Sequence, residues 1–476
     1  MDGARGSYNG FGAGREIWRE YTVGGSKDFL LRLQQTASKP TLFRAPRAIF
    51  WVAFLLRVAC VAIGHTYRIR LDNNHFDFGF EAGRIARSLV QGHGYANPFN
   101  GWSGPTAWLP PLYPLLLALA FKLFGVYTRG AAFFVLCVNS LFSALIAPGV
   151  YEIAARCFDA KGIARRASKQ AAPVALWSAW MWAVYPAALQ YAIHWVWEMS
   201  LSACLLTWIV VLTLRLRGTG EDERADAAQF GRWAAFGALW ACLAMSNASL
   251  LLCLPASAIW AVWPTLRHWS RVKVLAGPVL AGVVFVAVMM PWWVRNVRTM
   301  HTFIATRSNF PAELYESTLP SHDALPWGAA MPMWPGDPKF QLYARLGEMR
   351  YMQLRKQQSV AWLREHPGVF VKHSFDRLLF FWDGTPHESD KHPGMEFGRN
   401  LSYCFLSACG LLGLGLALKR HVPGAGLLGW VFLLAPLPYY FVTVQPRFRH
   451  PIEPLIAILG VYLFRATEPR NAKSGS

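Results

Sequence analysis

The sequence has 476 residues, 54% of them hydrophobic, and a formal net charge of +20. A soluble chain of this length would divide into two or three domains. Here uncharged apolar runs of roughly 15 to 25 residues recur along most of the chain, the pattern of a polytopic helical membrane protein. Much of the Lys and Arg lies between those runs, so the charge sets orientation in the bilayer and does not point to nucleic acid. Cys60, Cys137, Cys204, Cys242, Cys253, Cys404 and Cys409 lie inside apolar runs and Cys157 ends one. With no C-x-x-C pair, this argues against disulfides and a thiolate metal site.

In chain order, residues 1–46 are polar and Gly-rich, lack a secretory signal, and read as a cytoplasmic tail. The first span covers about 48–66 and contains Arg57, a charge that must face protein or snorkel. The stretch 67–130 then lies outside. Within it Asp77 to Leu89 predicts an amphipathic helix. Ala82, Ile85, Ala86, Leu89 and Val90 share one face, and Glu81, Arg84 and Ser88 the other. Asp77 is placed to cap the first amides. Gly92 stops the helix, and Pro110-Pro111 open the next apolar run. That run, 110–125, is short, proline-broken and carries Lys122, so it reads as a helix dipping into the outer leaflet.

Further spans are expected at 131–155, 171–192, 199–214, 233–249, 250–265 and 274–293. Arg156, Lys161, Arg165, Arg166 and Lys169 mark the inner side, as do Arg215, Arg217, Arg267, Arg271 and Lys273. Residues 294–400 form one outer segment with helical patches such as 340–365. Spans at 401–418, 425–443 and 452–465 precede a basic tail at 466–476. The expected fold class is thus all-α and polytopic. It has about ten transmembrane helices, a bundle over 47–293 resumed over 401–465, and both termini inside. No internal repeat points to an inverted-repeat transporter.

Four polar sets converge on the outer face. Asp77 and Glu81 form the first, although Asp77 equally fits a plain helix cap. His194 and Glu198 sit in a turn wedged between two spans, where a charge must be paired or solvated by a cavity. Arg295, Arg298, His301 and Arg307 follow Trp292-Trp293, and a continuing helix would put Arg295 and Arg298 on one face. Arg447, Arg449 and His450 occupy a short outer turn, where the orientation rule disfavours Lys and Arg. A positive turn there asks for an anion, and a lipid phosphate lies at that depth. A carboxylate beside these arginines suggests chemistry on a phosphate-linked lipid, with the acid as base and the guanidinium groups stabilising the leaving phosphate.

Several stretches together resemble the integral-membrane glycosyltransferases of the GT-C superfamily. They are Asp77 to Leu89, Pro-Thr-Ala-Trp-Leu-Pro-Pro-Leu-Tyr-Pro at 105–114, Pro-Trp-Trp-Val-Arg-Asn leading into Arg-Ser-Asn-Phe over 291–310, and Arg-Phe-Arg-His-Pro-Ile-Glu-Pro near the end. The likeness spans about 48–465 and is nearest to glycosyltransferase family 39, which includes protein O-mannosyltransferases and the aminoarabinose transferase of lipid A. It implies a polyprenyl-phosphate sugar donor, an outer-face active site, inversion by direct displacement, and an acid of the first outer loop as base. Asp77 or Glu81 matches that acid, and Glu198 matches an acid often found at the outer end of a later helix. There are departures. Phe78-Gly79-Phe80 separates the two acids, which are often adjacent in the family. Trp108-Leu109-Pro110 stands where aminoarabinose-transferase-like members carry Glu-Lys before the proline. A divalent metal and an aminoarabinose donor are therefore unsupported by these residues.

The resemblance thus predicts a hexosyl or pentosyl transferase of the inner membrane, acting on a hydroxyl of a protein, lipid or polysaccharide acceptor. Glu81 is the expected general base, with Asp77 orienting the acceptor or sharing the role. Arg447, Arg449, Arg295 and Arg298 would hold the donor phosphate, and Glu198, His194, His450 and Tyr113 would line the cavity. A flippase for a lipid-linked sugar is the alternative. It would share the arginines but need polar residues through the mid-membrane, where the central spans are almost uncharged.

Overall fold

The computed structural model describes residues 45–70, 73–159, 173–220, 230–266, 273–321, 325–385 and 393–467. The expected tails, and Lys161, Arg165, Arg166, Lys169, Arg267 and Arg271, lie wholly or almost wholly outside the described residues. Among the described residues the regular structure is helical, and the one β contact is an isolated bridge between Ala96 and Pro105. Five helices are long and apolar enough to cross a membrane: Pro46–Ile63, Arg129–Phe158, Met199–Leu216, Leu275–Met300 and Phe397–Lys419. Shorter apolar helices stand among them at Leu112–Phe124, Val174–Val184, Ala248–Pro264 and Ala425–Phe441. The chain is an all-α polytopic membrane protein.

Helix bounds differ from the hydropathy reading where proline or local hydrogen bonding intervenes. The run at 171–192 is two helices, Pro173–Val184 and Pro186–Ile193, because Pro186 has no N–H to continue the first. The helix Lys273–Met300 runs through Pro291 and past the expected end at 293. The helices Pro338–Leu346, Glu348–Glu365 and Pro367–Asp383 follow before the next helix apolar enough to cross, which starts at Pro393. Leu112–Phe124 has 13 residues and so rises about 20 Å, short of a hydrocarbon core of about 30 Å. Leu115, Leu119 and Leu123 on its outer face are exposed, as a lipid-facing side would be. Close helix contact relies on small residues: a methyl on Gly413 would overlap the Leu459 carbonyl of the helix Glu453–Thr467.

Arg57 shows how the broken helix is tolerated. Its guanidinium, fully buried, donates to the carbonyls of Ala183 at 2.9 Å and Trp182 at 3.3 Å, and to Ser143 Oγ at 3.0 Å. The two carbonyls belong to the last turn before the Tyr185-Pro186 break, where the Trp182 carbonyl also accepts from the Tyr185 amide at 3.3 Å. The arginine thus solvates a helix end inside the bundle and does not snorkel. Arg57→Leu should leave the Ala183 carbonyl without this donor, at about 1–3 kcal/mol. The expected result is a clearly lower unfolding midpoint in detergent, and an unchanged midpoint would contradict this role.

The bundle has two distinct ends. At one, Arg156 pairs with Glu152 at 2.7 Å and donates to the Thr219 carbonyl, while Arg215 pairs with Glu152 at 3.3 Å. A cavity at that end is lined by Arg217, Trp260, Leu418, His421 and the Gly424-Ala425-Gly426 turn. The opposite end gathers the first loop, the 194–198 and 245–249 turns, the segment after Met300, and the 439–452 turn.

Candidate active site

The helix Phe80–Val90 begins at Gly79, whose φ of 82° is left-handed and costs glycine little. A Cβ there would come within 2.9 Å of the Val196 carbonyl, so the glycine also lets the helix start press onto the 194–198 turn. That approach brings Glu81, in the first helical turn, to the same cavity as Glu198. The polar Glu81–Arg84–Ser88 face is covered, with Glu81 8%, Arg84 1% and Ser88 2% exposed. The 95–105 loop folds over it: Asn97 donates to Ser88 Oγ at 3.3 Å, and Arg84 lies 4.4 Å from the Phe80 ring centre.

The cavity has an empty volume of about 840 Å³, part of it open to solvent. Glu81, Tyr113, Glu198 and Arg447 line it, joined by Asn247, Ser249, Arg307, Asn309, Glu313 and Tyr439. Tyr113 is held by Asn139, which donates to its hydroxyl at 3.0 Å and to the Trp195 carbonyl at 3.0 Å, so one buried amide sets both the tyrosine and the 194–198 turn. Burial pushes the Glu81 carboxyl up to about 6, Glu198 adding to the rise, while its own helix amide, Arg84 and Arg447 pull it back. Arg447 lies 3.5 Å above the centre of the Trp197 ring. Among the described residues its guanidinium has no hydrogen-bond or ion-pair partner, and its Nε is buried. Burial lowers its pKa, opposed by the nearby carboxylates of Glu198 and Glu81.

The other residues read from the sequence are placed elsewhere. Asp77 is exposed in the turn Asn73–Phe78, and the helix N-cap is Gly79 with no side-chain cap. His194 and Arg298 are exposed and do not line the cavity. Arg295 donates to the backbone carbonyls of Thr106 and Tyr95 at 2.6 Å each, fastening the first loop to the helix Lys273–Met300. Arg449, fully buried, pairs with Glu453 at 3.1 Å and donates to Ser407 Oγ and the Tyr403 carbonyl, and His450 bonds the other Glu453 oxygen at 2.7 Å. Arg449→Met would leave Glu453 short of its cation, a loss of about 3–5 kcal/mol. It should lower the unfolding midpoint while the folded fraction binds lipid phosphate as before. Loss of that binding with an unchanged midpoint would return Arg449 to the anion site.

Arg307 and Asn309 reach the cavity because Ser308 between them is clamped. The buried Glu348 carboxylate accepts from Ser308 Oγ at 2.6 Å, the Ala107 amide at 2.7 Å, Tyr343 Oη at 2.6 Å and Thr106 Oγ1. This ties the first loop to the segment after Met300. Asn247, Ser249, Asn309, Glu313 and Tyr439 were not foreseen. The one available sign was a polar Ser246-Asn247-Ala248-Ser249 tip between two apolar runs. Among the described residues no three His, Cys, Asp or Glu side chains are grouped to hold a metal ion. Arg447 lies in electrostatic reach of both Glu198 and Glu81.

The sequence matches no protein-family model and no curated protein. Among solved structures, the archaeal oligosaccharyltransferase AglB from Archaeoglobus fulgidus, in complex with an inhibitory peptide and a dolichol phosphate, superposes with a TM-score of 0.51 at 14% identity. It covers 90% of this chain and 52% of that one. Its apo form gives a TM-score of 0.51 at 13% identity, covering 89% and 50%. Apo ArnT from Cupriavidus metallidurans is 16% identical over 86% of this chain and 77% of that one, but at a TM-score of 0.32 nothing rests on it. The chain shares its fold with these AglB structures and spans about half the length of their chains.

Proposed function

We propose that this protein transfers one sugar from a polyprenyl-phosphate donor to an acceptor hydroxyl at the cavity end of the bundle. The observation that carries the reading is the pairing, in one cavity, of a carboxylate poised near neutrality with a half-buried guanidinium that has no hydrogen-bonded partner among the described residues. Glu81 takes the acceptor proton, the acceptor oxygen attacks the anomeric carbon from the opposite side, and the carbon–oxygen bond to phosphate breaks. Arg447 holds the charge that develops on the leaving polyprenyl phosphate. The shared fold with AglB, a structure that holds a dolichol phosphate, agrees with a lipid phosphate of this kind.

The cavity end faces outward in this reading. Arg156, Arg215, Arg217, Lys419 and Arg420 mark the other end, and short basic loops stay on the cytoplasmic side. The acceptor is a hydroxyl of a protein, lipid or polysaccharide. Purified protein given labelled polyprenyl-phosphate sugars should release polyprenyl phosphate in an acceptor-dependent way. Movement of the intact lipid-linked sugar across vesicles without bond cleavage would overturn the reading in favour of transport.

A further inference from the structure

We infer that the helix Pro367–Asp383 is seated in the membrane, in the leaflet at the cavity end, with Val371, Phe375 and Leu379 against lipid acyl chains. In sequence it falls within the polar outer segment 294–400. Its 17 residues are nevertheless arranged inside out for a helix in water. Val371, Phe375 and Leu379 follow one another at four-residue spacing on one face and are 67%, 59% and 47% exposed. The side turned to the protein carries polar groups. Arg377, fully buried, donates to the Ser317 carbonyl at 3.0 Å, and His373 Nδ1 and Ser374 Oγ are buried too. A helix that turns Phe and Leu outward while burying an arginine has an apolar medium outside it.

The helix before it is built the other way. Glu348–Glu365 exposes Gln353, Lys356, Gln357, Arg364 and Glu365 and buries Tyr351 and Met352, as a helix in water does. Polarity thus inverts across His366-Pro367. At that point Trp362 stacks on His366 with ring centres 5.1 Å apart, and tryptophan is enriched at membrane–water boundaries.

Contacts with two apolar helices fix the depth. Tyr403, in the spanning helix Phe397–Lys419, donates from Oη to the Phe381 carbonyl at 3.3 Å. Phe397, Leu401 and Phe405 of that helix are exposed as well, so the open stripe adjoins a lipid-facing side, which favours lipid over a second copy of the chain. The Trp382 ring lies 5.7 Å from that of Phe432. Phe432 stands about 12 Å along the helix that begins after Gly424, at the opposite end of the bundle, and so within a hydrocarbon core of about 30 Å. Asp376 is half-buried, and Lys372 and Asp383 are the exposed charges of the helix. Asp383 ends it, and the long Lys372 stem can carry its ammonium to the headgroups. The seat also braces the cavity wall. Phe381 stacks on Tyr439 with ring centres 6.3 Å apart, and Trp382 Nε1 donates to Tyr440 Oη at 2.9 Å.

The test labels the full-length protein in nanodiscs with two photoreactive reagents and maps the adducts by mass spectrometry. One is a phosphatidylcholine with a diazirine on its acyl chain, the other a water-soluble diazirine. The readout is the ratio of lipid-borne to water-borne adduct at each residue. Val371, Phe375 and Leu379 should share the high ratio of Leu401 and Phe405, while Gln353, Lys356 and Gln357 give a low one. A stripe ratio nearer to that of Gln353 would put the helix in water and overturn the inference. A stripe that neither reagent reaches would overturn it as well, because a second copy or another protein would then cover that face.

Discussion

Glu81→Gln is expected to lower sugar transfer by about 10²- to 10⁴-fold, the usual contribution of a positioned general base, while polyprenyl phosphate still binds. The substitution keeps the size and most of the hydrogen-bonding capacity of a side chain that is 8% exposed, so the fold should survive. The acid also sets a pH dependence. A general base works only when ionised, and burial has pushed this carboxyl up to about 6. Transfer should therefore fall as pH drops through about 6 and level off above it. Glu198 raises the Glu81 pKa and Arg447 lowers it, so two neighbours should move that limb in opposite senses. Glu198→Gln should carry it to lower pH and Arg447→Met to higher pH. A limb that neither substitution moves would separate Glu81 from the pH dependence.

Arg447→Met should cost about 10²- to 10³-fold in transfer, as removal of one preorganised charge-stabilising donor does. It should also weaken binding of bare polyprenyl phosphate. Arg447→Lys should recover little of the loss. A planar guanidinium can lie on Trp197 and still present a fork of N–H groups to a phosphate, which an ammonium cannot do. Full recovery by lysine would mean that only a positive charge is needed there.

The apolar runs made the helical bundle legible, and the basic stretches between them suggested its orientation. Finer choices depended on tertiary geometry. Arg447 and Arg449 look equivalent in sequence, yet the 3-10 turn Pro446–Ile452 advances about 120° per residue and points them in different directions. One faces the cavity and the other is held by Glu453. Arg295 stood in a plausible anion cluster, but the carbonyls of Tyr95 and Thr106, some 190 to 200 residues away in sequence, take up its donors. Arg57 plainly needed partners. That they would be the carbonyls of a broken helix could not be read without knowing that the break at Tyr185 packs beside it. Asn247 stood in a polar tip between two apolar runs and Asn309 in the Arg-Ser-Asn-Phe stretch, but that both line one cavity depends on contacts between distant segments.

The account turns on one lipid-linked sugar touching both Glu81 and Arg447. Cryo-EM of the protein with a non-hydrolysable polyprenyl-phosphonate sugar measures this directly. The phosphonate should hydrogen-bond Arg447 above Trp197, with the face of the anomeric carbon away from it turned toward Glu81. Density for the phosphonate at the opposite end of the bundle, near Arg217 and His421, would contradict the account.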